Sequence, residues 1–188
     1  MPDRLLFSES EARTEELGER LAAGLRRGDV LALYGDLGAG KTTLVRGLAR
    51  GLGSADPVSS PTFVLLHVYE GRLTLYHFDA WRLAGPGDLE AIGAEDYLEG
   101  DGVAVVEWSE RAQGLLPGER LEVYLERCPA PEQRRLRLVG LGQRGAGQRG
   151  AGERQPGEGQ SGEGQQPAGE PSAGQGALPP GGCRAQGR

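Results

Sequence analysis

An α/β fold, with a sheet partly parallel and extended by antiparallel additions, is predicted by three features of this sequence. Val30 to Tyr34, bounded by turn residues, and Val103 to Val106, running into Glu107-Trp108, are continuously apolar, the pattern of strands buried on both faces. A glycine-rich loop and then a helical apolar stripe follow the first of them. Leu121-Val123-Leu125 and Leu136-Leu138 instead alternate with polar residues, as half-exposed strands do.

The elements follow in order. Leu5-Leu6-Phe7 is a short apolar run suited to an edge strand. Ser8, with Glu11 three residues later, reads as a capping box that opens a helix. Leu17, Leu21 and Leu25 continue it at helical spacing until Gly28-Asp29 stops the run. After the strand Val30 to Tyr34, Leu44, Leu48 and Leu52 mark the buried stripe of a second helix, which ends near Gly51 and Gly53. Phe63 to Tyr69 and Leu73 to Phe78 read as two strands. Glu70-Gly71-Arg72 between them is of hairpin length, so the pair should be antiparallel. Asp88 to Leu98 suits short helical turns broken at Gly93. The sequence has no internal repeat.

Composition divides the 188 residues in two. Of the 47 residues from Gly142 to Arg188, 15 are glycine, one is a large aliphatic (Leu178) and none is aromatic. Such a stretch buries too little apolar surface to offset the entropy of ordering it. Residues 142–188 are therefore expected to be a disordered tail, and residues 1–141 the folded domain. The first 141 residues carry 16 Arg and Lys against 23 Asp and Glu, and the tail 5 against 4. An acidic domain repels a phosphate backbone, so tight direct binding to nucleic acid is not expected. The two cysteines, Cys128 and Cys183, show neither a disulfide framework nor metal spacing. The first residues lack a leader's apolar core, and no apolar run approaches membrane length. A reduced, cytoplasmic protein without a membrane partner is expected.

Gly35-Asp36-Leu37-Gly38-Ala39-Gly40-Lys41-Thr42 matches G-x-x-x-x-G-K-[ST] in full. The preceding strand and following helix are the context that motif needs. Gly35, Gly38 and Gly40 permit backbone angles and close approach that a Cβ would block. The loop amides, Ala39 among them, then point inward at a phosphate, and the helix N-terminus adds positive potential. Lys41 reaches the β- and γ-phosphates, Thr42 offers Mg²⁺ a hard oxygen, and Thr43 reaches the α-phosphate. Lys41 is the only lysine, against 20 arginines. A sequence that otherwise uses Arg has kept the slim ammonium where a forked guanidinium is too bulky. These features together predict a P-loop NTPase-like three-layer sandwich binding ATP and Mg²⁺.

Such a site needs a carboxylate for the metal and a group to orient the attacking water. Glu107 follows four apolar residues at a strand end, the usual pattern for the metal acid. Asp79 follows the strand Leu73 to Phe78. Each could alternatively cap its strand or pair with an arginine, and which one orients water stays open. Ser59-Ser60-Pro61-Thr62-Phe63 is either a mobile switch, with Thr62 facing the metal or γ-phosphate, or an ordinary turn. His77 either polarises a group near the phosphates or is structural.

Taken together, Gly35 to Thr43, Ser60-Pro61-Thr62-Phe63, Tyr76 to Arg82 and Val106-Glu107-Trp108 resemble the TsaE (YjeE) family in order and spacing. The resemblance spans about Leu6 to Leu138. It implies an ATPase, slow by itself, that supports TsaB and TsaD as they form threonylcarbamoyladenosine at adenosine 37 of tRNAs reading codons that begin with A. It implies that tRNA is met only through that complex. It places Lys41, Asp79 and Glu107 in catalysis, Thr42 and Glu107 at the metal, and Gly35 to Thr43 with Thr62 around the phosphates. It also places Glu11 and Arg134 near the base. Trp81 stands where the family more often has Tyr, and Ser109 where it more often has Pro. A small-molecule kinase and a non-hydrolysing nucleotide switch are the alternatives. The first would need an Arg-rich lid, which the sequence lacks.

Overall fold

The computed structural model describes residues 3–141, so the expected disorder of the glycine-rich tail lies outside the described residues. Seven strands form one sheet in the order β1-β7-β6-β2-β5-β4-β3. They are β1 (Arg4–Ser8), β2 (Val30–Tyr34), β3 (Leu66–Tyr69), β4 (Leu75–Asp79), β5 (Val103–Glu107), β6 (Arg120–Arg127) and β7 (Arg134–Leu141). The central four, β6, β2, β5 and β4, run parallel. Three antiparallel pairings complete the sheet: β7 on β6, β1 on β7, and β3 on β4. The helices are α1 (Glu11–Ala22), α2 (Lys41–Gly51), α3 (Pro86–Glu90) and α4 (Ala94–Leu98).

The unbroken apolar runs of β2 and β5 have a direct cause. Leu31, Leu33, Val103 and Val105 face one core, shared with Leu17 of α1 and Leu44 and Leu48 of α2. Val30, Ala32, Tyr34, Ala104 and Val106 face the other, with Leu89, Leu98 and Leu116. Both faces of the central strands are covered, which makes three layers.

On the first face α1 and α2 cross closely. A Cβ on Gly47 would lie 2.0 Å from the Glu15 carbonyl oxygen, and one on Gly18 would lie 2.4 Å from that of Leu44. Ion pairs flank the crossing: Arg46 to Glu11 at 2.6 Å, Arg50 to Glu19 at 3.0 Å, and Arg50 to Glu15.

Several expectations need correction. The α1 cap is Ser10, whose hydroxyl accepts from the Arg13 amide at 3.1 Å. Ser8 is the buried last residue of β1, and its hydroxyl is engaged with Thr14 at 2.7 Å. β3 starts at Leu66 rather than at Phe63. The Val64 and Leu65 amides donate to the Pro61 carbonyl at 2.9 and 2.7 Å, a turn that overrides the apolar run and leaves Phe63 85% exposed. β4 likewise starts two residues late, at Leu75. Among the described residues no helix is long and apolar enough to cross a membrane.

Candidate functional site

The loop after β2 opens at the C-terminal ends of the parallel strands, where open α/β sheets place their clefts. Gly35, Gly38 and Gly40 have φ of +142°, +75° and +101°. Gly35 is also confined: a Cβ there would lie 2.3 Å from the Leu125 carbonyl oxygen. At Gly38 and Gly40 the nearest atom to an added Cβ would be 3.8 and 3.7 Å away. Those two positions are set by backbone angle, since an added Cβ would make only ordinary contacts. Gly40 is the N-cap of α2 and brings no side chain to its first amides. The helix therefore presents uncapped N–H groups towards the cleft.

Lys41 is 4% exposed. Its Nζ donates to the Gly35 and Asp36 carbonyls at 2.6 and 3.1 Å. It also lies 3.5 Å from the centroid of the Trp108 ring. Burial lowers its pKa, while the carboxylates of Glu107, Glu110, Asp79 and Asp36 oppose that shift. Trp108 holds φ +59°, a costly angle for a bulky residue. Its ring also packs against Trp81, tilted by 43° with centroids 4.2 Å apart.

Asp79 and Glu107 are register partners on adjacent strands β4 and β5, so their side chains share a face. Both are buried. Glu107 Oε1 accepts the Thr42 hydroxyl at 2.8 Å and contacts His77 Nε2 at 2.8 Å. Asp79 Oδ1 accepts the Trp81 amide at 2.9 Å. Its Oδ2 accepts the hydroxyl of Ser60 at 2.5 Å and also that of Thr62. The Ser60 to Phe63 segment is therefore held against Asp79, and Arg82 lies 4.5 Å from the Phe63 ring centroid.

These groups line a cleft of about 560 Å³. Gly38, Gly40, Lys41, Thr42, Thr43, Thr62, Asp79 and Glu107 all border it. So do Glu11 and Arg134, which carry no motif of their own. The Arg134 guanidinium donates to the Gly38 carbonyl at 3.3 Å, and Thr43 donates to Glu11 at 3.4 Å. Leu37 lies on the cleft wall, 74% exposed. Gly35 and Asp36 border a separate hollow beside Tyr34 and Tyr124, and the Ala39 methyl is buried in the first core. Sequence reasoning missed Thr14, Pro131 and Glu132, which also border the cleft. They carry no pattern; only the pairing of β1 on β7 and β7 on β6 brings the ends of those strands beside the loop.

The parallel centre, the loop after its first strand and the two acids at neighbouring strand ends define a P-loop α/β protein. The family model described as "Threonylcarbamoyl adenosine biosynthesis protein TsaE" matches residues 8–136. The chain belongs to the TsaE family. It is 49% identical over 118 residues to "tRNA threonylcarbamoyladenosine biosynthesis protein TsaE" of Treponema pallidum, covering 63% of this chain and 87% of that relative. The protein of the same name in Bacillus subtilis is 40% identical over 132 residues, covering 70% of this chain and 82% of the relative. The crystal structure of Bacillus subtilis YdiB superposes with a TM-score of 0.64 at 35% identity, covering 74% of this chain and 86% of YdiB.

Proposed function

We infer that the chain is an ATPase of tRNA threonylcarbamoyladenosine biosynthesis. It binds ATP–Mg²⁺ in the cleft, hydrolyses ATP slowly by itself, and supports TsaB and TsaD in forming threonylcarbamoyladenosine at adenosine 37 of tRNAs reading codons that begin with A. A cytoplasmic location fits that role. The observation that carries this reading is the convergence of Lys41, Thr42, Asp79 and Glu107 on one cleft beside left-handed Gly38 and Gly40.

The residues present fit a magnesium nucleotide. Gly38 and Gly40 hold left-handed backbone angles that L side chains rarely adopt, and the uncapped α2 amides favour phosphate oxygens. The Thr42 hydroxyl and Glu107 carboxylate are hard oxygen donors, and Mg²⁺ takes few such groups from protein when phosphates and water complete its shell. Held there, Mg²⁺ would neutralise charge developing on the transferred phosphoryl group. Lys41 already has its ammonium stripped of most water. A phosphate oxygen favours the charged form that burial disfavours, at little further desolvation cost. Glu11 and Arg134 border the cleft on the nucleoside side. Glu107 is engaged by Thr42 and His77. Asp79 is engaged through both oxygens, by Ser60, Thr62 and the Trp81 amide, and so ties the Ser60 to Phe63 loop to the cleft. The partner proteins, rather than this acidic chain, would hold the tRNA.

Lys41→Ala tests the reading. In a phosphate-release assay with TsaB and TsaD present, turnover should fall about a hundredfold or more, the scale for losing one group that stabilises transition-state charge. Undiminished turnover would contradict it.

A further inference from the structure

β4 carries His77 into the interior, where its side chain is 0% exposed. Nε2 lies 2.8 Å from Glu107 Oε1, the oxygen that also accepts the Thr42 hydroxyl. Nδ1 is buried without a hydrogen-bond partner.

Packing alone does not account for this residue. An unsatisfied buried nitrogen carries its full desolvation cost. Leu75, two residues earlier and so on the same face of β4, is equally buried with no polar atom to satisfy. An apolar side chain at position 77 would fill the space just as well. What an apolar side chain cannot do is donate to Glu107. A carboxylate only accepts, so Nε2 carries the hydrogen in this contact. The register sets it: His77 pairs with Val105, and Glu107 follows two residues along β5 on the same face.

We propose that His77 is a positioning residue for the cation site. Its Nε2–H fixes the Glu107 carboxylate where Thr42 needs it, although His77 itself is not among the residues bordering the cleft. This rests on the ATP–Mg²⁺ reading above. Outer partners of metal ligands typically govern metal affinity by 10- to 100-fold.

The test is a Mg²⁺ titration of the full chain with ATP, read as nucleotide affinity, beside a measurement in EDTA. Thermal melts first establish which variants are folded. His77→Met keeps apolar volume and removes the donor. It should need about tenfold more Mg²⁺ for half its effect, with EDTA affinity unchanged. His77→Gln keeps an N–H and should stay within about twofold of the parent. An unshifted His77→Met, a His77→Gln as impaired as His77→Met, or an equal loss in EDTA overturns the proposal while leaving the ATP–Mg²⁺ reading intact. Magnesium-independent binding by the parent chain would instead sink that reading and the proposal with it. Should His77→Met not fold, the unmutated chain decides. It has only two histidines, and long-range ¹⁵N spectra should show the Nε2–H form for the buried ring. The Nδ1–H form overturns the proposal.

Discussion

Lys41 shows how one side chain is kept ready for a ligand. Its ammonium sits between two carbonyls and the face of Trp108. A desolvated cation over an indole gains about 2 kcal/mol, enough to hold it in place yet small beside a phosphate contact. The tight backbone angle at Trp108 keeps the ring there. Both tryptophans of the chain, Trp81 and Trp108, border the cleft and pack against each other. Tryptophan emission therefore reports on this site alone. Adding ATP with magnesium should change it, and Trp108→Phe should remove most of the change. An unaltered spectrum on saturation would mean that Lys41 does not leave the ring.

At the scale of elements, the α1–α2 crossing positions the loop, because α2 begins at Lys41 itself. Gly47 is where the two backbones come closest. Gly47→Ala would improve helix propensity in isolation, yet its methyl would meet the Glu15 carbonyl oxygen at 2.0 Å. The helices must separate. We expect a loss of about 3 kcal/mol in urea unfolding, the upper range for overpacking a close contact. A neutral or stabilising result would show that the crossing relaxes freely. The salt bridges flanking it are largely exposed and contribute far less.

For the whole molecule, net charge is the governing quantity. The chain carries a formal charge of −6, and no gain from counterion release is available to an acidic surface facing a phosphate backbone. The chain alone should therefore not retard tRNA in a gel at about 0.15 M salt, where Debye screening reaches only about 8 Å. Retardation that weakens steeply with added salt would reveal a basic surface that the overall charge conceals.

Local patterns determined much of this protein. The loop from Gly35 to Thr43, the doubly buried β2 and β5, and the acids ending β4 and β5 were all legible, because each depends on spacing within a few residues. The Ser10 cap and the turn at Phe63 were misread, since a hydroxyl's partner and a carbonyl's donors depend on neighbours that spacing does not name. Only the tertiary structure brought Thr14 and Glu132 to the loop, and only the family resemblance pointed to Glu11 and Arg134 beforehand. Only the parallel register of β4 and β5 set His77 against Glu107. Pairings of that kind join residues far apart in the chain, and their energy comes from strand registry and burial that no single segment contains.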